Sequence, residues 1–76
     1  MTPRAEQYAA ILAIAELVEI NALDPDNELP YYLAQALNLN VADLLADTQL
    51  TGLMANMRTS GADIDHIARQ ILDYIS

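Results

Sequence analysis

The chain has 76 residues, 54% of them hydrophobic, and no cysteine, tryptophan or phenylalanine. Eleven acidic residues stand against three arginines, which gives a formal net charge of −8 at pH 7. The lack of cysteine excludes disulfides, thiolate catalysis and Cys-ligated metals, and the negative charge disfavours direct binding of nucleic acid or of an anionic membrane surface.

Length and composition predict a single all-helical domain over residues 1–76. A chain this short buries only about 60% of the surface that it exposes when unfolded. Its apolar residues are mostly Ala, Leu and Ile, which favour helices over strands. The start of the chain does not resemble a signal peptide, and its longest apolar run is too short to cross a bilayer. We therefore expect a cytoplasmic protein that does not contact membranes.

The first helix is predicted from Pro3 to about Ala22. Thr2 and Pro3 have the form of an N-cap followed by proline at the first helical position, and no glycine or proline interrupts the next twenty residues. The apolar side chains of this segment lie on more than one face, so the helix needs cover on more than one side. This pattern favours a homodimer, in which a second copy of the chain buries the apolar face of the helix that its own chain leaves uncovered.

Residues 24–30 form the main break in the chain, because turn-forming and capping residues are concentrated there. A short second helix is predicted from Pro30 to about Leu37. A tight connection follows, in which Asn40 caps a third helix. This third helix is expected to direct three apolar side chains inward: Val41, Leu44 and Leu45.

Two more helices are predicted in the second half of the chain. The apolar phase slips after Asp47, which indicates a kink or a new helix start between Asp47 and Thr51. Thr59, Ser60 and Gly61 end this segment, and Ser60 with Asp63 matches a capping box for the last helix. The apolar stripes of the two segments are Leu50, Leu53, Met54 and Met57, and then Ile64, Ile67, Ala68, Ile71, Leu72 and Ile75. The expected fold is therefore a compact all-α bundle of four to five short helices.

The middle of the chain contains a recognisable local pattern. The segment from Leu33 to Leu45, LAQALNLNVADLL, resembles the LAxxLxxxVxxLL tract of phage-repressor-like helix-turn-helix domains. The resemblance implies a helix-turn-helix shape, and it makes a transcriptional regulator an alternative function. A DNA-reading helix would carry basic or amide side chains, whereas this one offers Asp43 and Asp47. The pattern therefore supports the shape and speaks against DNA as its target.

No catalytic, cofactor or metal site is predicted. His66 is the single histidine, so neither a transition-metal site nor a Ser–His nucleophile pair has enough members. The acidic residues in segments 24–28 and 63–65 fit a solvated loop and the first turn of a helix. They lack the spacing of a calcium-binding EF-hand loop.

Two adjacent tyrosines, Tyr31 and Tyr32, are the best candidates for contact with another protein. Neighbouring residues on a helix point about 100° apart, so at least one of the two is expected at the surface. The alternative places one tyrosine in the core and the other along the surface. Met54 and Met57 likewise fit either a core role or an adaptable contact surface.

The predicted function is that of a non-enzymatic protein-binding module, an adaptor or inhibitor that engages a more basic partner protein. The candidate contact residues are Tyr31, Tyr32, Asp26, Glu28, Asp43 and Asp47. A narrower version is a nucleic-acid mimic of the kind seen in phage-encoded inhibitors. In that version, helical acids at i, i+4 such as Asp43 and Asp47 stand in for phosphates, about 5 to 6 Å apart. The alternatives are a structural protein that acts through homo-oligomerisation and the helix-turn-helix regulator.

Overall fold

The computed structural model describes residues 4–59 and 61–75. These residues form five α-helices: α1 (Arg4–Glu19), α2 (Leu29–Leu37), α3 (Val41–Ala46), α4 (Thr48–Met57) and α5 (Ile64–Ile75). Each helix packs against the next one along the chain, and α1 also packs against α5. The bundle therefore closes on itself, with dimensions of 29 × 24 × 19 Å. This arrangement confirms the predicted all-α bundle of short helices.

One apolar cluster at the centre of the bundle draws on all five helices. Its largest fully buried side chains are Ile11, Leu29, Leu33, Leu44 and Ile71. Met54 and Met57 are buried in the same cluster, so they fill the core and are not a contact surface. No polar side chain is buried within the described ranges, so apolar packing alone stabilises the centre.

Helix α1 ends earlier than the predicted Ala22, and the reason lies in Asn21. Asn21 adopts a left-handed backbone conformation with φ 61°. The Asn21 N–H then bonds to the carbonyl of Val18 at 3.1 Å, and the Ala22 N–H bonds to the carbonyl of Leu17 at 2.9 Å. This pair of bonds is the Schellman motif, which ends a helix and satisfies its last carbonyl groups. The predicted N-cap at Thr2 and Pro3 lies outside the described residues.

The two-sided apolar pattern of α1 is explained within a single chain. One side of the helix packs against α2 and another against α5. Ile11, Ile14 and Ala15 are buried, and Tyr8, Leu12 and Val18 pack against the core at half burial. Two large apolar side chains remain exposed at the C-terminal end of the helix, Leu17 of α1 at 37% and Ile20, directly after it, at 63%.

The middle of the chain has the helix-turn-helix shape that the sequence predicted. Helix α2 ends at Asn38, which is left-handed with φ 57° and ψ 43°, and the Leu39 N–H closes a second Schellman motif on the carbonyl of Ala34 at 2.8 Å. The side chain of Asn40 caps α3 by accepting a bond from the Ala42 N–H at 2.8 Å, as predicted. The inward direction predicted for Leu45 is wrong, because Leu45 is 50% exposed. Helix α3 has only six residues, too few to bury two faces.

A new helix begins at Thr48, which confirms the predicted break near Asp47. Asp47 is extended, with φ −89° and ψ 109°, and its carboxylate accepts bonds from the backbone N–H groups of Gln49 and Leu50. This is an N-cap, and the change of direction that it imposes explains why the apolar phase slips at this point. The predicted stripe on α4 is buried throughout: Leu50, Leu53, Met54 and Met57.

Helix α5 has the buried apolar stripe that the sequence predicted, while its opposite face, His66 included, is exposed. Ser60, the predicted first member of the capping box, lies outside the described residues. Asp63 itself stands at the N-terminus of α5, because its carboxylate accepts a bond from the His66 N–H at 3.2 Å and its carbonyl accepts one from the Ile67 N–H at 3.1 Å. No helix in the described parts of the chain is long and apolar enough to span a membrane.

Candidate protein-binding surface

Both tyrosines at the start of α2 are at the surface. Tyr31 is 60% exposed and Tyr32 is 45% exposed, so the alternative that placed one of them in the core is wrong. The reason is that α2 turns its other face inward, with Leu29, Leu33, Ala34 and Leu37 buried. At about 100° per residue, Tyr31 and Tyr32 fall on the two flanks of the outward face.

The acidic loop that precedes these tyrosines is held in one conformation by its own side chains. The Asp24 carboxylate accepts bonds from the Asp26 N–H at 2.9 Å and from the Asn27 side-chain amide at 2.8 Å. The Glu28 carboxylate in turn accepts a bond from the Asp24 N–H at 2.9 Å. The bond from the Asp26 N–H, followed by the Asn27 amide, lowers the pKa of Asp24 because both favour its charged form. The loop therefore presents fixed carboxylates beside Tyr31 and Tyr32.

Asp26 also connects the loop to Arg58, the C-cap residue of α4. Its carboxylate forms an ion pair with the Arg58 guanidinium at 2.7 Å, across 32 residues of sequence. Both side chains are largely exposed, Asp26 at 73% and Arg58 at 44%. Exposed ion pairs of this kind stabilise a fold only slightly, so the pair can open without disturbing the bundle.

A groove of about 240 Å³ that both members of this ion pair line lies between the start of α2 and helix α4. Pro30 and the half-exposed Leu45 supply apolar walls, and the exposed side chains of Asp26 and Arg58 stand at its edge. Tyr31 and Tyr32 follow Pro30 directly in the sequence but do not line the groove themselves.

The two remaining candidate acids, Asp43 and Asp47, do not form the helical pair that nucleic-acid mimicry assumed. Asp43 lies on α3 and is exposed, but Asp47 follows the end of that helix in an extended conformation. The expected i, i+4 spacing on one helix is therefore wrong. The Asp47 carboxylate also accepts bonds from the Gln49 and Leu50 N–H groups at 2.9 and 3.2 Å.

Asp47 has a further partner in Tyr74, on the last turn of α5. The Tyr74 hydroxyl lies 3.0 and 2.8 Å from the two carboxylate oxygens of Asp47 and donates to them. This bond is the main cause that lowers the pKa of Asp47 and the main cause that raises the pKa of Tyr74. Asp47 thus stabilises the junction of α3, α4 and α5, and it has little capacity left for a partner.

Sequence reasoning placed Asp26, Glu28, Tyr31 and Tyr32 in one region, and the structure brings these four together at the start of α2. Sequence reasoning missed the part of the site that Leu45 and Arg58 supply, since both of them line the groove. The sequence pattern is misleading at Leu45. Its spacing fits an apolar helical stripe that faces the core, but the six-residue helix α3 leaves its side chain 50% exposed. Arg58 gave no local signal, since its partner Asp26 is 32 residues away.

Acidic residues outnumber basic ones by eleven to three in the chain. Each of the three arginines forms an ion pair with an aspartate: Arg4 with Asp73, Arg58 with Asp26, and Arg69 with Asp65. No group of three or more His, Asp or Glu side chains within residues 4–59 and 61–75 is placed to hold a metal ion.

The chain matches no known family model, no curated protein and no solved structure.

Proposed function

We propose that this protein is a non-enzymatic binding module that engages a more basic protein through the surface at the start of α2. One observation carries the proposal: two adjacent tyrosines, 60% and 45% exposed, stand beside an acidic loop whose conformation is fixed by hydrogen bonds. Tyrosine buries a large area on binding, loses little side-chain entropy and keeps a hydroxyl for hydrogen bonding.

Charge supports the same proposal. The chain carries a formal net charge of −8, and its arginines are already paired with aspartates. Its field accelerates encounter with a positively charged surface and slows encounter with a negative one. Asp26 and Glu28 place carboxylates next to the tyrosines, where the cationic side chains of a basic partner would arrive.

The narrower versions of this function receive less support. Nucleic-acid mimicry needs regularly spaced free carboxylates, and Asp47 is engaged by three donors of the bundle itself. A DNA-binding regulator needs a cationic second helix, and the six residues of α3 include Asp43 and no basic residue.

The test is affinity capture of partners with the wild-type chain and with the double variant Tyr31→Ala/Tyr32→Ala. The matched control is Ile20→Ala, because Ile20 is as exposed as Tyr31 but lies at the end of α1. We expect one stoichiometric partner that the wild type and the Ile20 variant retain, and whose binding constant the tyrosine variant weakens at least tenfold in calorimetry. Equal affinity for all three chains would place the contact elsewhere and contradict the proposal.

Self-assembly is a second candidate, favoured by one observation. Leu17 and Ile20 form a small exposed apolar area at the C-terminal end of α1. A second copy of the chain could cover this area in a symmetric homodimer. Light scattering on the wild type and on Ile20→Glu tests this candidate, since only a dimer built on this area loses mass in the variant.

A further inference from the structure

The groove between α2 and α4 has a mixed character that restricts what can occupy it. Its walls include Pro30 and Leu45, which are apolar, while its edge carries Asp26 together with Arg58. An apolar side chain gains by entering such a groove. A cation next to that side chain gains from Asp26, and an anion there is repelled by it.

The structure already contains a cation in this position. The guanidinium of Arg58 lies 2.7 Å from the Asp26 carboxylate at the groove edge. The pair is exposed, so water and ions screen it, and its loss costs the fold little. An incoming guanidinium can therefore replace that of Arg58 on Asp26.

We propose that the groove receives a segment of the partner in which an arginine follows an apolar side chain, and that Arg58 occupies the position of that arginine until the partner binds. The inference rests on the proposed function and names the chemistry of the segment that is recognised. Arg58 then acts as an internal competitor, which lowers the affinity for the partner. A second copy of the chain is a poor occupant, because it would bring a further net charge of −8 to an acidic edge.

The experiment uses the full chain and a fluorescein-labelled amphipathic peptide with leucine and arginine on one helical face. An analogue with glutamine in place of arginine serves as the reference peptide. The two key variants are Arg58→Gln and Asp26→Asn. Each has a control with the same change in charge on α5, Arg69→Gln and Asp65→Asn, because Arg69 and Asp65 form an exposed ion pair and neither of them lines the groove.

We expect Arg58→Gln to tighten binding of the arginine peptide roughly two- to fivefold, and Asp26→Asn to weaken it by a similar factor. The two α5 controls should change the affinity by less than about 1.5-fold, because neither residue contacts the groove lining and salt weakens the field of exposed charges. In the double variant Arg58→Gln/Asp26→Asn, the gain from removing Arg58 should vanish, because its effect acts through Asp26. Amide chemical shifts of Thr51 and Ala55, which line the groove, should move on binding.

Equal affinity of the wild type and Arg58→Gln would overturn the competition by Arg58. The competition would also be overturned if Arg58→Gln still tightened peptide binding in the Asp26→Asn background. So would peptide-induced chemical-shift changes that occur only in helices other than those that line the groove. Failure of the peptide to bind any variant would overturn the groove as its site. None of these results touches the proposed function, which is tested separately by partner capture with the Tyr31 and Tyr32 variant. Concentration-dependent dimers in light scattering, together with shifts of the Thr51 and Ala55 amides in the absence of peptide, would favour a second copy of the chain as the occupant and would contradict the inference.

Discussion

Tyr74 connects the last turn of the chain to the junction between two earlier helices. Its hydroxyl donates to the carboxylate of Asp47, which also caps α4. The bond holds the pKa of Asp47 below its ordinary value and the pKa of Tyr74 above its ordinary value. These opposite shifts define the pH range in which the bond stabilises the fold.

The first prediction concerns Tyr74→Phe, which removes the donor and keeps the ring. An aspartate whose pKa is lowered on folding stabilises the protein at pH values above the pKa that it has in the unfolded chain. This stabilisation is lost as the pH falls through the pKa of the folded state. A tyrosine whose pKa is raised on folding stabilises the protein at pH values below the pKa that it has in the unfolded chain. This stabilisation is lost as the pH rises through the pKa of the folded state. The wild type should therefore be more stable than the variant from about pH 4 to about pH 10, with the difference shrinking outside that range.

Urea unfolding at a series of pH values measures this difference. Tyr31→Phe is the control, because the Tyr31 hydroxyl makes no hydrogen bond to the described residues and its loss should leave stability unchanged at every pH. A constant difference between wild type and Tyr74→Phe from pH 3 to pH 11 would show that the ring environment, and not the bond to Asp47, is responsible.

The second prediction concerns Asn38, the left-handed residue that ends α2. Alanine at φ 57° is strained, so Asn38→Ala should lower the free energy of unfolding by roughly 1 kcal/mol. Glycine accepts this conformation freely, and Asn38→Gly should stay within about 0.5 kcal/mol of the wild type. Asn56→Ala, on the exposed face of α4, should be neutral or slightly stabilising, because alanine is the better helix former. Equal losses at positions 38 and 56 in urea unfolding would contradict the role of backbone conformation.

At the scale of whole helices, local signals in the sequence predicted most of the fold. The capping side chains of Asn40 and Asp47 bind backbone groups two or three residues away. The apolar stripe of α5 repeats every three to four residues. Such short-range patterns can be recognised in a single sequence. Asn21 was such a signal too, and its left-handed conformation ends α1 three residues before the predicted end. The candidate surface was predicted only in part, because the ion pair of Asp26 with Arg58 joins residues 32 positions apart. No local pattern encodes such a contact.

The third prediction compares two leucines on adjacent helices. Leu33 of α2 is fully buried, whereas Leu45 of α3 is 50% exposed. Leu33→Ala should reduce the free energy of unfolding by about 2–5 kcal/mol, since it removes core contacts and leaves a cavity. Leu45→Ala should change it by less than about 0.5 kcal/mol. Urea midpoints of the two variants measure this directly, and similar losses would mean that Leu45 belongs to the core.

The molecule as a whole combines a small apolar core with a surface on which acidic residues far outnumber the three arginines. The radius of gyration of 11.1 Å is close to the value of about 11.4 Å expected for a compact chain of this length. Eleven acids on so small a body repel one another and repel other copies. The two kinds of association considered for this protein should therefore respond to salt in opposite ways.

The last prediction follows from this opposition. Binding to a basic partner is assisted by charge, so its dissociation constant should rise as salt is increased from 20 mM to 1 M, since the Debye length falls from about 20 Å to about 3 Å. Self-association through Leu17 and Ile20 is opposed by charge, so any dimer should become more populated over the same range. Light scattering and calorimetry at 20 mM, 150 mM and 1 M salt measure both trends. Ile20→Glu should abolish the dimer and leave partner binding intact, because Ile20 follows the end of α1 and is not part of the tyrosine surface at the start of α2. A dimer that dissociates as salt increases would instead require complementary charges between copies, and it would move the self-association site to one of the three arginines.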